Sequence, residues 1–115
     1  MTIVLTQAEV RSLLPMRDCI EQMQQALESL ARDEGMNPLR WACWLPDRRG
    51  LLGMMPGSLD SPPALGMKVV AVFPGNHGTA YDSHQGLVVL FDPTHGMPLA
   101  VMDASEITAI RTAAV

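Results

Sequence analysis

The sequence predicts an α+β fold: N-terminal helices packed on a mostly antiparallel sheet, ending in a truncated helix. Three observations point that way. The hydrophobic period is about 3.6 residues over 16–34 and falls to about 2 from residue 39 onward. Two segments rich in turn residues, Pro46–Gly50 and Asp92–Gly96, separate apolar runs in the manner of hairpin loops. Thr6-Gln-Ala-Glu9 and Asp103-Ala-Ser-Glu106 both have the form of a capping box, the start signal of a helix.

Taken in order, Ile3 to Leu5 is a short β-prone run, and Thr6 opens a first helix that Pro15 interrupts. A second helix is expected from Met16 to Glu34, with Ile20, Met23, Leu27, Leu30 and Ala31 forming one apolar stripe before Gly35, Asn37 and Pro38 end it. Leu39 to Leu45 alternates, placing Leu39, Trp41, Cys43 and Leu45 on one face and Arg40, Ala42 and Trp44 on the other. Leu51 to Met55 returns as its hairpin partner, and Ser58 to Pro63 reads as a loop. Leu65 to Phe73 is a strand apolar on both faces, and Pro74 to Ser83 is an exposed loop. Leu87 to Phe91 and Leu99 to Met102 flank the Asp92–Gly96 hairpin. The last helix begins at Asp103, carries Ile107, Ile110, Ala113 and Ala114, and meets Val115 with no Gly, Asn or basic residue to cap it. Such an end is expected of a helix cut short.

Length allows one small domain. Eight basic against twelve acidic residues leave a net charge of −4, which argues against nucleic acid or an anionic membrane as partner. No apolar run approaches the roughly 20 residues of a membrane span, and the N-terminus lacks the pattern of a signal peptide. The expected location is cytoplasmic, with Cys19 and Cys43 as buried free thiols. His77, His84 and His95 are dispersed and show no metal-ligand spacing. Gly75-Asn-His-Gly78 lacks the spacing of a phosphate-binding loop, and the nine methionines read as adaptable core filler.

Lys68, the chain's single lysine, carries the strongest chemical signal. It shares a strand face with Val70 and Val72, so it either meets an anion or a wet pocket, or reaches out to water from an edge strand. Arg40, set between Leu39 and Trp41, reads equally as a pocket cation or as a rim arginine stacked on a tryptophan. Arg111, with Thr108 three residues earlier, reads by itself as part of a solvated helix face. Were the three to converge, they would suit one carboxylate, with Arg giving bidentate capture and Lys a point charge.

Several stretches then resemble one family. Met54-Met-Pro-Gly57, Leu65-Gly-Met-Lys-Val-Val-Ala-Val-Phe-Pro74 with Asn76, Ser83-His-Gln-Gly86, Leu90-Phe-Asp-Pro93 with Gly96, and Ile107-Thr-Ala-Ile-Arg-Thr-Ala-Ala114 are similar to segments of the ornithine cyclodeaminase/mu-crystallin family, in its order and spacing. The resemblance implies that residues 1–115 are the N-terminal substrate-binding and dimerisation domain. A Rossmann domain binding NAD or NADP, with the family's catalytic Asp, is then expected beyond Val115. It also implies that Arg40, Lys68 and Arg111 hold a substrate carboxylate, and that Ser83 and Thr112 lie toward the cofactor. The implied chemistry is NAD(P)-dependent hydride transfer at the Cα of an amino acid, ornithine going to proline and ammonia in the type reaction. Gly53 stands where true cyclodeaminases carry an acidic residue, so reduction of a cyclic ketimine or an alanine-type dehydrogenation competes with the ornithine reading. A mu-crystallin-like protein that binds without turnover, or a piece inactive by itself, are the remaining alternatives. A homodimer and a small amino-acid or cyclic imine carboxylate are the partners implied.

Overall fold

A computed structural model describes residues 1–115. The element order is β1 (Ile3–Leu5), α1 (Gln7–Leu13), α2 (Met16–Ala31), β2 (Gly35–Met36), β3 (Trp41–Trp44), β4 (Leu51–Leu59), β5 (Ala64–Val72), β6 (His84–Phe91), β7 (Pro98–Asp103) and α3 (Ala104–Ala113), with a 3₁₀ turn at Pro74–Asn76. The strands form one seven-stranded sheet in the order β1-β7-β6-β5-β4-β2, and β3 also pairs with β4. Every pairing is antiparallel except β1 with β7. The α+β architecture expected from the change of period is the one observed.

Local signals explain most of the elements. Thr6 caps α1 in both directions: its Oγ1 accepts from the Glu9 N–H at 3.3 Å, and Glu9 Oε2 accepts from the Thr6 N–H at 2.8 Å. In the β6–β7 hairpin, the Asp92 carboxylate accepts from the N–H groups of Thr94 and His95, and Gly96 takes φ +79°. A side chain at Gly96 would be strained in that left-handed conformation. Both reciprocal bonds present at α1 are not repeated at α3. Asp103 accepts from the Ser105 N–H at 2.9 Å, but Glu106 turns away to Arg11 at 2.6 Å and Gln7 at 3.1 Å. A full guanidinium offers the carboxylate more than one backbone N–H does. The result ties α1 to α3, and Arg11 holds the Glu106 carboxyl below its usual range.

Four expectations change. The second helix stops at Ala31, because residues 32–34 turn through Asp33 at φ +61° and let Gly35–Met36 pair with Leu59 and Ser58 as β2. Its inward line runs through buried Cys19 and Ser29 and half-buried Met23, Ala26 and Leu30, so Ile20 and Leu27 remain exposed. The predicted loop from Ser58 begins late: β4 continues through Pro56 to Leu59. Proline is tolerated there because β2 and β3 leave residues 55–57 with a partner only on the β5 side. Cys43 is exposed while Cys19 is buried, since β3 is a four-residue strand with nothing packed over Cys43.

Strand register sorts the sheet into two faces. Gly53, Met55, Lys68, Val70, Val72, Gly86 and Val88 share one, and α3 lies over it, with Ala104, Ser105 and Thr108 closing a cavity against them. Leu52, Val69, Ala71 and Leu87 share the other, where Leu52 is 44% and Leu87 49% exposed. Only six of 115 residues are buried, so the layer of helix on sheet forms a thin core and leaves one face open. Asp103 is the joint that aims α3. Replacing it with Ala should cost about 1 kcal/mol, as for other N-caps, and lower the thermal midpoint by a few degrees in circular dichroism; an unchanged midpoint would refute this role for the cap.

Candidate functional site

Lys68 sits in β5, with β4 and β6 on either side. A lysine in a central strand has no edge from which to reach past its neighbours, so its ammonium stays in the space between the sheet and α3. It is half-buried there, and its Nζ lies 3.4 Å from Thr108 Oγ1. Arg111 follows Thr108 by three residues on α3 and therefore projects from the same side of that helix. Arg40 arrives from the opposite direction. Residues 37–40 leave β2 and cross to β3 beside stretch 55–57 of β4, which pairs only with β5, and this brings Arg40 to the same opening.

The three cations converge. A cavity of about 620 Å³ is lined by Arg40, Lys68, Arg111 and Thr112, together with Met55, Pro56, Gly57, Val88, Ile107 and Thr108. No carboxylate lines it. None of Arg40, Lys68 and Arg111 has a carboxylate within 4.0 Å, although the chain as a whole carries more acid than base. Burial, then the positive charge of Arg111 and of Arg40, holds the Lys68 ammonium below the ordinary lysine value of 10.5. The alternative of Arg40 stacking on a tryptophan is taken up by a different residue: Arg48 lies over the Trp44 ring at 5.3 Å.

A second cavity of about 540 Å³ adjoins the first, sharing Arg40, Met55, Lys68 and Thr108. It is mainly apolar, with Trp41, Leu51, Gly53, Val70, Val72 and Ala104 in its walls and Asp82 and His84 among its polar residues. Gly53 and Gly86 lie along this wall. A Cβ at Gly86 would meet the Val69 backbone, and one at Gly53 would come within 3.3 Å of Val70 Cγ1. Asp82 and His84 stand where the loop 74–83 enters β6. Their border position depends on how the loop 74–83 returns to β6, which no local pattern encodes. Ser83 and Thr112 part company: Thr112 lines the cation cavity, while Ser83 lines neither cavity and its Oγ lies 3.0 Å from His84 Nδ1. No group of three or more His, Cys, Asp or Glu residues is placed to hold a metal ion.

Comparison with known proteins places this geometry. The profile of the ornithine cyclodeaminase/mu-crystallin family matches residues 1–115. Ketimine reductase mu-crystallin of Mus musculus is 43% identical over 99 residues, covering 84% of this chain and 32% of its own length. Among solved structures, the Δ1-pyrroline-2-carboxylate reductase of Thermococcus litoralis, in complex with NADH and L-proline, superposes with a TM-score of 0.92 at 32% identity. It covers 98% of this chain and 35% of that one. An archaeal alanine dehydrogenase dimer with bound NAD gives 0.89 at 34% identity, covering 98% and 34%. The chain thus spans about a third of the length of the relatives it matches.

For the dinucleotide in those two structures, these 115 residues offer only a fringe. They contain no glycine-rich turn leading from a strand into a helix, the feature that cradles a pyrophosphate. Thr112 at the cavity rim is the one expected cofactor-side residue that borders the cations.

The single lysine makes the cation cluster directly observable. With lysine-selective isotope labelling, the Lys68 side-chain signal should titrate below 10.5. Arg111→Gln should move that midpoint upward; no movement would refute the coupling. Because the folded value is depressed, the unfolded chain holds its proton to higher pH, and stability should rise as pH climbs from the folded value toward 10.5. Lys68→Met removes the repelling charge and should flatten this rise.

Proposed function

The chain belongs to the ornithine cyclodeaminase/mu-crystallin family, and from this we propose that it is the carboxylate-holding part of an NAD(P)-dependent oxidoreductase acting at the Cα of a small amino acid or cyclic imine. The observation that carries the reading is the meeting of Arg40, Lys68 and Arg111, from three separate segments, in one cavity without an acid. In this reading a longer subunit supplies the dinucleotide-binding domain and the catalytic Asp, and the bound nicotinamide supplies the hydride chemistry. The residues present here bind and orient. The two guanidiniums take the carboxylate oxygens, the Lys68 ammonium adds charge between them, and the apolar walls receive the carbon skeleton beside them. Neutralising three mutually repelling cations is itself favourable, so the anion is held at a site already arranged for it.

Within that class, a cyclic ketimine carboxylate fits better than ornithine. Gly53 brings no acid to the wall, and a second ammonium on the substrate would find three cations in the cavity that holds its first end and Asp82 as the single carboxylate of the adjoining one. Binding to this chain tests the point. L-Proline should shift the Lys68 signal more strongly than L-ornithine does, and tighter binding of ornithine would overturn the cyclic reading. In a longer subunit, Lys68→Ala should lower kcat/KM by roughly tenfold to hundredfold, the cost of losing one charged hydrogen bond to the substrate.

The open sheet face supports a homodimer. Leu52 and Leu87 are large, apolar and about half exposed, with Val69 and Ala71 between them on β5, and a second copy of the same face would cover them. Sedimentation should find the chain self-associated, with Leu52→Glu shifting it toward monomer. A wild-type monomer would refute this interface.

A further inference from the structure

Lys68 combines properties that carboxylate binding alone does not require. Its amine faces a cavity from a central strand, it has no acid partner, and two guanidiniums share the space. From β4 and β6 the apolar Met55 and Val88 face it, from α3 Thr108 and Arg111, and from the segment before β3 Arg40. Asp82 and His84 border the adjoining cavity, which Lys68 also lines, but the Asp82 carboxylate lies more than 4.0 Å from its ammonium. An amine among cations and apolar groups is a nucleophile rather than a mere charge when a carbonyl comes within reach. Arginines beside it would seat a carboxylate, and the atom next to a carboxylate in a 2-oxo acid is a carbonyl carbon.

We propose that Lys68 condenses with 2-oxo carboxylic acids, forming a covalent imine while Arg40 and Arg111 hold the acid's carboxylate. The proposal rests on the carboxylate reading of the same cavity. In the reaction the neutral Nζ adds to the carbonyl carbon and a C–N bond forms. The carbonyl oxygen is protonated and leaves as water, and the nitrogen is left in a C=N bond to the former carbonyl carbon. No oxidant or reductant is needed. Thr108 Oγ1, 3.4 Å from Nζ, is placed to pass the proton between nitrogen and oxygen. The depressed proton affinity of Lys68, caused by burial and by Arg111 and Arg40, raises the share of free amine near neutral pH in the same direction. A 2-oxo acid would then occupy the site covalently and compete with the reversible carboxylate ligand.

The test uses pyruvate with cyanoborohydride, which traps an imine as a stable secondary amine. Intact mass and peptide mapping then locate the adduct, and the single lysine leaves only the Met1 amine as a competitor. The expected result is one pyruvyl adduct on Lys68, suppressed by L-lactate. Arg111→Gln should yield at least about tenfold less of it, through loss of a charged contact to the carboxylate. Acetone, a carbonyl compound without a carboxylate, should label poorly. Lys68→Arg should give no adduct at that position, with circular dichroism confirming its fold. Labelling confined to Met1, or equal labelling by acetone, would overturn the proposal. Absence of adduct while L-lactate shifts the Lys68 signal would overturn the imine and leave the carboxylate site standing. Absence of both would remove the carboxylate reading as well.

Discussion

Lys68, Arg40 and Arg111 repel one another, and the fold holds them together. Each comes from a different piece of chain, so the arrangement survives only because the frame on either side is rigid. Strand β5 is clamped between β4 and β6 from Leu65 to Val72. Helix α3 is fixed at its start by the Asp103 cap and along its side by the bond from Arg11 to Glu106. The cost of crowding three cations is the same physical quantity that makes the site receptive to an anion. In the proposed reading, an entering carboxylate would replace repulsion by attraction.

The frame achieves this with very little interior. Ser29 is the most deeply buried residue, and it is satisfied by donating to the Ser61 carbonyl at 2.6 Å. Val10, Cys19 and Ala104 mark where α1, α2 and α3 meet the rest of the chain. A domain with one sheet face covered and the other open has only part of the burial that stabilises a small globular fold, and further contact on the open face would supply more of it. Stability and assembly are therefore linked in this chain in a way that the cation site is not: the cations face α3, and the exposed leucines face away from it.

Division of labour follows from what each surface can bind. The cavity under α3 offers positive charge beside apolar walls, and Gly53 and Gly86 along those walls let neighbouring strands approach where a Cβ would crowd Val70 or the Val69 backbone. Recognition of a dinucleotide pyrophosphate uses a glycine-rich strand–turn–helix junction, and the two strand–helix junctions here, β1 to α1 and β7 to α3, contain no glycine. The solved relatives hold NADH or NAD in chains about three times as long as this one, which supports the proposal that another part of a longer subunit serves the dinucleotide.

Much of the fold was legible because its signals are local. The change of hydrophobic period, the Thr6 capping box and the Asp92–Gly96 turn each act within a few residues, and each formed as expected. Lys68 was legible as a problem, since a cation in a strand apolar on both faces demands an explanation. Its solution was not legible, because Arg40 is 28 residues before it and Arg111 is 43 after it, and nothing near either arginine records the other. The same limit hid β2, which exists only because β4 runs on past Pro56 to offer it an edge, and it hid the diversion of Glu106 from its own helix end to Arg11. Sequence by itself determined where the main helices and strands begin and which residue types are available for chemistry. Tertiary structure alone decided which of those residues meet, because pairing of distant strands and the placing of α3 are settled by packing across the whole sheet rather than by neighbours in the chain.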